Sequence, residues 1–255
     1  MVWRNTEMSS KDKKQDNLVP EEWWYTEFRK MIATSSDEDL PGLYDRLYDE
    51  YLCKCRGHQP HENVAPVKID GDLIQITDIL NDYRIIRFLI KEFMETGSIL
   101  ELGCGASSFA YIMATDGYCV AAVDMRQKVI ENHRKYIPLL PEDYRWNLRF
   151  DCALAEKLPY SEDSFNVIVG VDFIEHVRTP QRVMTECLRV LKPGGRIYFA
   201  TPIEGIQWSP EHLYNYTKPK LENLFNYYGL KSKFYFERYF WCNFEPNVFV
   251  IELMK

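Results

Sequence analysis

The spacing of apolar positions changes near residue 97. Before it, Ile79, Tyr83, Ile86, Ile90 and Phe93 recur every three or four residues, the spacing of one buried helix face. Thr77 or Asp78 is placed to cap that helix and Gly97 to end it. Two shorter helical stretches are predicted between Glu21 and about Tyr51, split by the solvated run Ser35-Ser36-Asp37-Glu38-Asp39, with Pro41-Gly42 opening the second. Residues 1–19 hold almost nothing to bury and read as a disordered tail. Residues 52–76, punctuated by Gly57, Pro60, Pro66 and Gly71, read as irregular.

Beyond residue 97, short apolar runs alternate with helical periodicity. Strands are predicted over 98–102, 119–123, 148–152, 165–171 and 196–200, with helices from about Ser107 and over 126–136 and 180–191. Such alternation predicts a parallel sheet covered by helices on both faces. A further helix over 218–228 precedes two strands, 233–239 and 248–253, too close together for a helical crossover and so expected to pair antiparallel.

Composition narrows the class. Of 255 residues 46% are apolar and 27% charged, which suits a globular chain able to bury a core without staples. No apolar run approaches the ~20 residues needed to cross a bilayer. The polar N-terminus has no signal-peptide pattern, and seven scattered cysteines suit reduced thiols, so a cytoplasmic protein with no membrane partner is expected. The net charge of −7 is uneven: residues 1–78 carry −6 and the remainder −1. With no basic surplus in either part, no nucleic-acid partner is expected. The N-terminal aromatics, Trp23, Trp24 and Tyr25 among them, serve either to pack a small helical layer or to wall a small-molecule pocket.

The most informative segment is Glu101-Leu102-Gly103-Cys104-Gly105, where a strand carrying an acid runs into two glycines and then a helix. Glycines there let a ligand approach the backbone, and the helix start presents unpaired N–H groups. Asp124, about twenty residues on, ends the next strand, where a carboxylate can accept ribose hydroxyls.

In order along the chain come Glu-Leu-Gly-Cys-Gly at 101–105, Val-Asp at 123–124, Ala-Glu-Lys-Leu-Pro-Tyr at 155–160, Glu-His-Val at 175–177 and Leu-Arg-Val-Leu-Lys-Pro-Gly-Gly-Arg at 188–196. This set resembles the class I S-adenosylmethionine-dependent methyltransferases, in particular the small-molecule branch of methyltransferase type 11 that includes ubiquinone and menaquinone biosynthesis enzymes. The resemblance implies an α/β, Rossmann-like, seven-stranded, mostly parallel sheet with an antiparallel terminal strand over residues 78–255. Residues 20–77 would then be an N-terminal helical lid. It also implies S-adenosyl-L-methionine as cofactor and a small-molecule acceptor. An acidic, aromatic lid suits a sugar, a phenolic or an amine, with a hydroxyl on a glycan precursor or metabolite, and so O-methylation, slightly favoured over N-methylation.

By position, the resemblance gives Glu101, Gly103, Cys104 and Gly105 to the methionine and ribose part of the cofactor, and Asp124 to the ribose hydroxyls. Met125 would face the adenine, Leu154 and Ala155 would border its edge, and Val171 with Asp172 would close the sulfonium side. Ser107 stands where the family often has a third glycine, and Leu154 where it often has Asp. Adenine recognition would therefore fall to backbone N–H groups and to Glu156 or Asp151.

A hydroxyl acceptor gains from a general base, most often His. His212, on the loop after the fifth strand of the alternating region, is the first candidate, with Tyr214 and Tyr216 shaping the pocket. His176 matches the family's Glu-His pair and reads mainly as structural, and His133 reads as a surface residue of its helix. Cys53, Cys55, His58 and His61 supply four ligand types, but the Cys-x-Cys spacing departs from zinc sites, and no metal is expected. Two other readings compete: a catalytically silent methyltransferase-fold subunit, and a nicotinamide oxidoreductase. The second is weakened by the missing third glycine. The sequence leaves the oligomeric state open.

Overall fold

A computed structural model describes residues 24–49, 67–70, 73–76, 81–203, 211–237 and 248–254. A π-helical turn, Trp24–Phe28, leads into α1 (Arg29–Thr34), and α2 follows at Leu40–Arg46. Then come β1 (Val67–Asp70), β2 (Leu73–Ile76) and α3 (Asn81–Phe93). The alternating part holds β3 (Ser98–Leu102), α4 (Phe109–Thr115), β4 (Cys119–Asp124), α5 (Gln127–Tyr136), the single-turn α6 (Glu142–Arg145), β5 (Leu148–Cys152) and β6 (Phe165–Val171). It closes with α7 (Pro180–Val190), β7 (Leu191–Pro202), α8 (Lys218–Tyr227), β8 (Lys231–Glu237) and β9 (Val248–Met254).

Seven strands form one sheet in the order β5-β4-β3-β6-β7-β9-β8. The pairs from β5 to β7 are parallel, and β9 runs antiparallel to both of its neighbours. The β3–β4, β4–β5 and β6–β7 crossovers carry helices, and with α3 and α8 these cover both faces, as continuous apolar strands require. In β3, Ile99 packs on one face beside Ile86 and Ile90 of α3 and Met113 of α4. Leu100, its neighbour, packs on the other face with Val183 and Met184 of α7 and Phe225 of α8. The order reverses direction between β3 and β4 on one side and β6 on the other, and ligands of open α/β sheets bind at the carboxyl ends of such strands.

Two expectations need correction. The stretch 52–76 is not wholly irregular, and the N-terminal region is not wholly helical: β1 and β2 form a hairpin with Asp70 opposite Leu73. In the sequence Val67 and Ile69 on one side and Ile74 and Ile76 on the other alternate about Gly71-Asp72, a Gly-X dipeptide that favours such a hairpin. The second correction concerns His133, which is buried at 1% exposure rather than on the surface.

Residues 24–49 build their own small core of Phe28, Ile32, Leu40, Tyr44 and Leu47. It packs on Met125, Leu154 and Leu213 at the carboxyl end of the sheet. Charge reinforces this contact. Arg126 Nε donates to Asp45 at 2.6 Å, Arg178 and Arg182 both reach Asp37, and Lys128 lies 3.5 Å from Asp49. The acidic excess of the N-terminal region is thus partly spent against cations of the sheet domain.

Candidate active site

A cavity of about 540 Å³ opens at the carboxyl ends of β3, β4 and β6, within the range of small-ligand and cofactor sites. Its walls include Gly103, Cys104, Gly105, Asp124, Met125, Leu154, Ala155, Glu156, Val171, Asp172, His176 and His212. Leu40, Tyr44 and Tyr48 of the N-terminal layer also line it.

The glycine turn is set by space and by backbone geometry. Gly103 has φ +62°, and a Cβ there would sit 2.7 Å from the Phe173 ring. Gly105 has φ +46°, the left-handed region that Gly adopts at low cost. Its N–H donates to Asp124 Oδ2 at 3.0 Å, while the Arg126 N–H donates to Oδ1 at 2.9 Å. Each carboxylate oxygen accepts one of these N–H groups and has capacity for more, and Asp124 lines the cavity. Burial pushes the Asp124 carboxyl up, and the two N–H donors offset this.

Glu101 is fully buried and does not line the cavity itself. It stands behind Tyr83, which does, and whose hydroxyl donates to Glu101 Oε1 at 2.9 Å. Burial pushes the Glu101 carboxyl up to about 7, with Tyr83, the Ser107 hydroxyl and the Ala110 N–H pulling the other way.

Of the two acids considered for the adenine edge, Glu156 lines the cavity, and burial raises its carboxyl. Asp151 is engaged elsewhere, accepting from Tyr160 at 2.9 Å and pairing with Arg149 at 3.3 Å.

The other end of the cavity gathers Asp172, His176, Glu211 and His212. Asp172 follows β6 with φ +45°, an unusual backbone for a residue with a side chain, and such positions cluster at ligand sites. His176 Nδ1 lies 3.1 Å from the Glu211 carbonyl; a carbonyl only accepts, so Nδ1 carries the proton and Nε2 keeps a lone pair. Burial lowers the His176 pKa to about 4, so the ring is neutral at ordinary pH. The His212 ring meets it edge-on, centroids 4.8 Å apart. Backbone bonds hold the pair: the Tyr44 hydroxyl donates to the His176 carbonyl at 2.6 Å and Arg29 donates to the His212 carbonyl. Buried Glu175 lies below, its carboxyl held well above the usual range by burial and by Asp172. Ligand atoms of Glu175, His176 and His212 all lie within 4.8 Å of one another, a separation that would let them contact one cation.

Tyr214 points elsewhere: it is 38% exposed, and its hydroxyl donates to the Arg178 carbonyl at 3.1 Å. Tyr216 is buried against the sheet domain's core. Trp23 and the cluster Cys53, Cys55, His58 and His61 lie outside the described residues, as do the side chains of Trp24 and Tyr25. Sequence reasoning missed Arg126 as a cavity residue, whereas Tyr44 and Tyr48 are among the N-terminal aromatics that it read as a candidate pocket wall. For Arg126 the available signal was its place two residues after Asp124 at a strand end.

The sheet order, the glycine turn and the acid at the end of β4 give the chain the Rossmann-like fold found in class I methyltransferases. Residues 100–199 match the methyltransferase domain family. Among curated proteins, the chain is 30% identical over 103 residues to a ubiquinone biosynthesis O-methyltransferase of Coxiella burnetii, covering 40% of this chain and 42% of that one. A protein of the same name from Vibrio atlanticus is 31% identical over 113 residues, covering 40% and 42%. The matched region thus spans less than half the length of these relatives. Among solved structures, a putative sarcosine dimethylglycine methyltransferase from Galdieria sulphuraria aligns with TM-score 0.59 at 14% identity, over 80% of this chain and 96% of that one. A SAM-dependent methyltransferase from Methanosarcina mazei aligns with TM-score 0.53 at 20% identity, over 66% and 96%. No helix among the described residues is long and apolar enough to cross a membrane.

Proposed function

We propose that this chain is an S-adenosylmethionine-dependent methyltransferase whose acceptor is a small cytoplasmic metabolite, with a hydroxyl favoured over an amine. The observation that carries this is one cavity reaching from the Gly103–Gly105 turn and Asp124 to His176 and His212. The donor set fits the cofactor: a glycine cradle that a Cβ would fill, a carboxylate for two hydroxyls, and apolar Met125 and Leu154 for a base face.

In this reading Gly103 and Gly105 admit the cofactor's backbone-facing side, and Asp124 accepts from its ribose hydroxyls. Met125, Leu154 and Ala155 flank the adenine, and Glu156 takes its amino group. When bound, S-adenosylmethionine supplies a methyl group made electrophilic by an adjacent sulfonium. The protein's part is alignment, exclusion of water and proton removal. His212 would take the proton of the acceptor hydroxyl, leaving its oxygen as the nucleophile toward the methyl group that the bound cofactor would supply. His176, neutral and fixed by Glu211, braces the His212 ring. The N-terminal helices act as a lid, with Leu40, Tyr44 and Tyr48 closing the cavity.

Calorimetric titration with S-adenosylhomocysteine and then with NAD, followed by detection of methylated products from a phenol and amine panel, tests this reading. Uptake of S-adenosylhomocysteine alone and a methyl ether product are expected. Binding of NAD instead would overturn it, and a methylated amine would overturn the hydroxyl preference.

A further inference from the structure

His133 lies on α5, outside the cavity lining, yet it is almost fully buried and every polar atom of its ring is engaged. Nε2 is 2.8 Å from the Gly105 carbonyl. A carbonyl only accepts, so Nε2 carries the proton; Nδ1, without one, lies 3.2 Å from the Tyr111 hydroxyl, whose single proton it shares with the His133 main-chain carbonyl at 3.0 Å. The ring stacks on Phe150, centroids 4.3 Å apart and planes 4° from parallel. Burial holds its pKa down at about 4, so the ring stays neutral and the Nε2–H bond persists at ordinary pH.

Gly105 is therefore held from both sides. On the cavity side its N–H is bonded to Asp124, and behind it the carbonyl is bonded to His133. Left-handed glycine interconverts easily with other backbone conformations, because it has no Cβ to forbid them. A turn of this kind keeps one conformation only if its peptide groups are tied down. We propose that His133 is a positioning residue for the cofactor turn: its Nε2–H fixes the Gly105 carbonyl, and so orients the Gly105 N–H and the Asp124 carboxylate for the ligand. This rests on the cofactor reading above. Phe150 of β5 fixes the ring's plane, and the Tyr111 hydroxyl of α4 anchors the His133 main-chain carbonyl beside Nδ1.

The test compares His133→Phe, which keeps a ring against Phe150 and removes the donor, with His133→Gln, whose amide can still donate to Gly105. Calorimetry with S-adenosylhomocysteine, KM for S-adenosylmethionine, kcat and thermal melting are read on each. His133→Phe is expected to raise Kd and KM about tenfold, the loss of one hydrogen bond, with kcat little changed. His133→Gln is expected to recover most of the affinity. Nitrogen-15 spectra of the unliganded wild type read the bond without any cofactor, and a neutral Nε2–H tautomer that resists protonation to about pH 4 is expected. An Nδ1–H tautomer, or titration at an ordinary histidine pKa, would overturn the proposal. So would wild-type affinity in His133→Phe, or affinities of the two variants that simply follow their melting temperatures. Wild-type protein that takes up no S-adenosylhomocysteine overturns the cofactor reading and this role with it, a result distinct from the others.

Discussion

Arg126 Nε donates to Asp45 at 2.6 Å, joining the N-terminal layer to the residue whose own N–H holds Asp124. The Arg126 guanidinium also lies over the Tyr48 ring, 4.2 Å from its centroid. Arg126 is 3% exposed and Asp45 is 28% exposed at the side chain, so the pair is buried on one side only. Removing its acid leaves a buried cation poorly compensated. Asp45→Ala should cost about 2–3 kcal/mol, below the 3–5 typical of a fully buried pair. Chemical denaturation measures this, and a loss under about 0.5 kcal/mol would show that the pair holds nothing.

The two main core clusters contain no residue from 24–49. A truncation starting near Ile69 should therefore still unfold cooperatively, with Met125, Leu154 and Leu213 newly exposed. Loss of methyl transfer with retained S-adenosylhomocysteine binding is expected, read by denaturation curves and calorimetry. A truncated protein without a cooperative transition would make the helical layer part of the main core.

Asp124→Ala should weaken S-adenosylhomocysteine binding by roughly 1.5–3 kcal/mol, the range for hydrogen bonds to a charged group. The loss has two parts, since Asp124 also holds the Gly105 and Arg126 N–H groups. Asp124→Asn keeps an acceptor for one of them and should lose less. Unchanged affinity in both would remove Asp124 from the ribose site.

For a hydroxyl acceptor, His212→Ala should lower kcat by about 10²–10⁴-fold with cofactor affinity little altered. The acid limb of the wild-type pH–rate profile should vanish in that variant. His176→Phe should retain the limb, because His176 is held neutral down to about pH 4 and does not titrate where the limb falls. A limb lost with His176 and kept without His212 would exchange the two roles.

Glu101 sets a stability trend with a definite sign. Its carboxyl is held at about 7 in the fold, against about 4.5 when exposed, so between these values the folded chain binds more protons than the unfolded one. Its contribution to stability therefore falls as pH rises from about 4.5 to 7 and levels off above. Glu101→Gln, which keeps an acceptor for Tyr83, should flatten that decline and melt higher than wild type at pH 8. Parallel pH–melting curves for the two proteins would contradict it.

Much of this was legible in the chain itself. Strands β3, β4 and β6 fall within a residue of where their apolar runs end, because a strand buried on both faces has few polar positions to blur its limits. β7 begins at Leu191, five residues before the apolar run suggested, since Lys192-Pro193-Gly194-Gly195 conceals a strand start in turn-like composition. Gly195 is needed there: a Cβ would lie 2.8 Å from the Asn166 carbonyl. His133 was misread because its neighbours Asn132, Arg134 and Lys135 are polar, although Val129 and Ile130 place it on a buried face at helical spacing. The tethers of His176 and His212 to Tyr44 and Arg29 join residues more than 130 apart in sequence, which no local pattern encodes.

Strand β9 follows β8 along the chain but sits between β7 and β8 in the sheet, bonded along both edges. During synthesis β8 therefore leaves the ribosome with no neighbour to join and must wait for a later segment to bridge it to β7. The half of the sheet that carries the glycine turn and Asp124 has all its strands made well before this happens. A nascent chain of this protein can thus mature its ligand-holding half early, while its opposite margin stays open until Glu252 arrives to meet Arg196 and Tyr235.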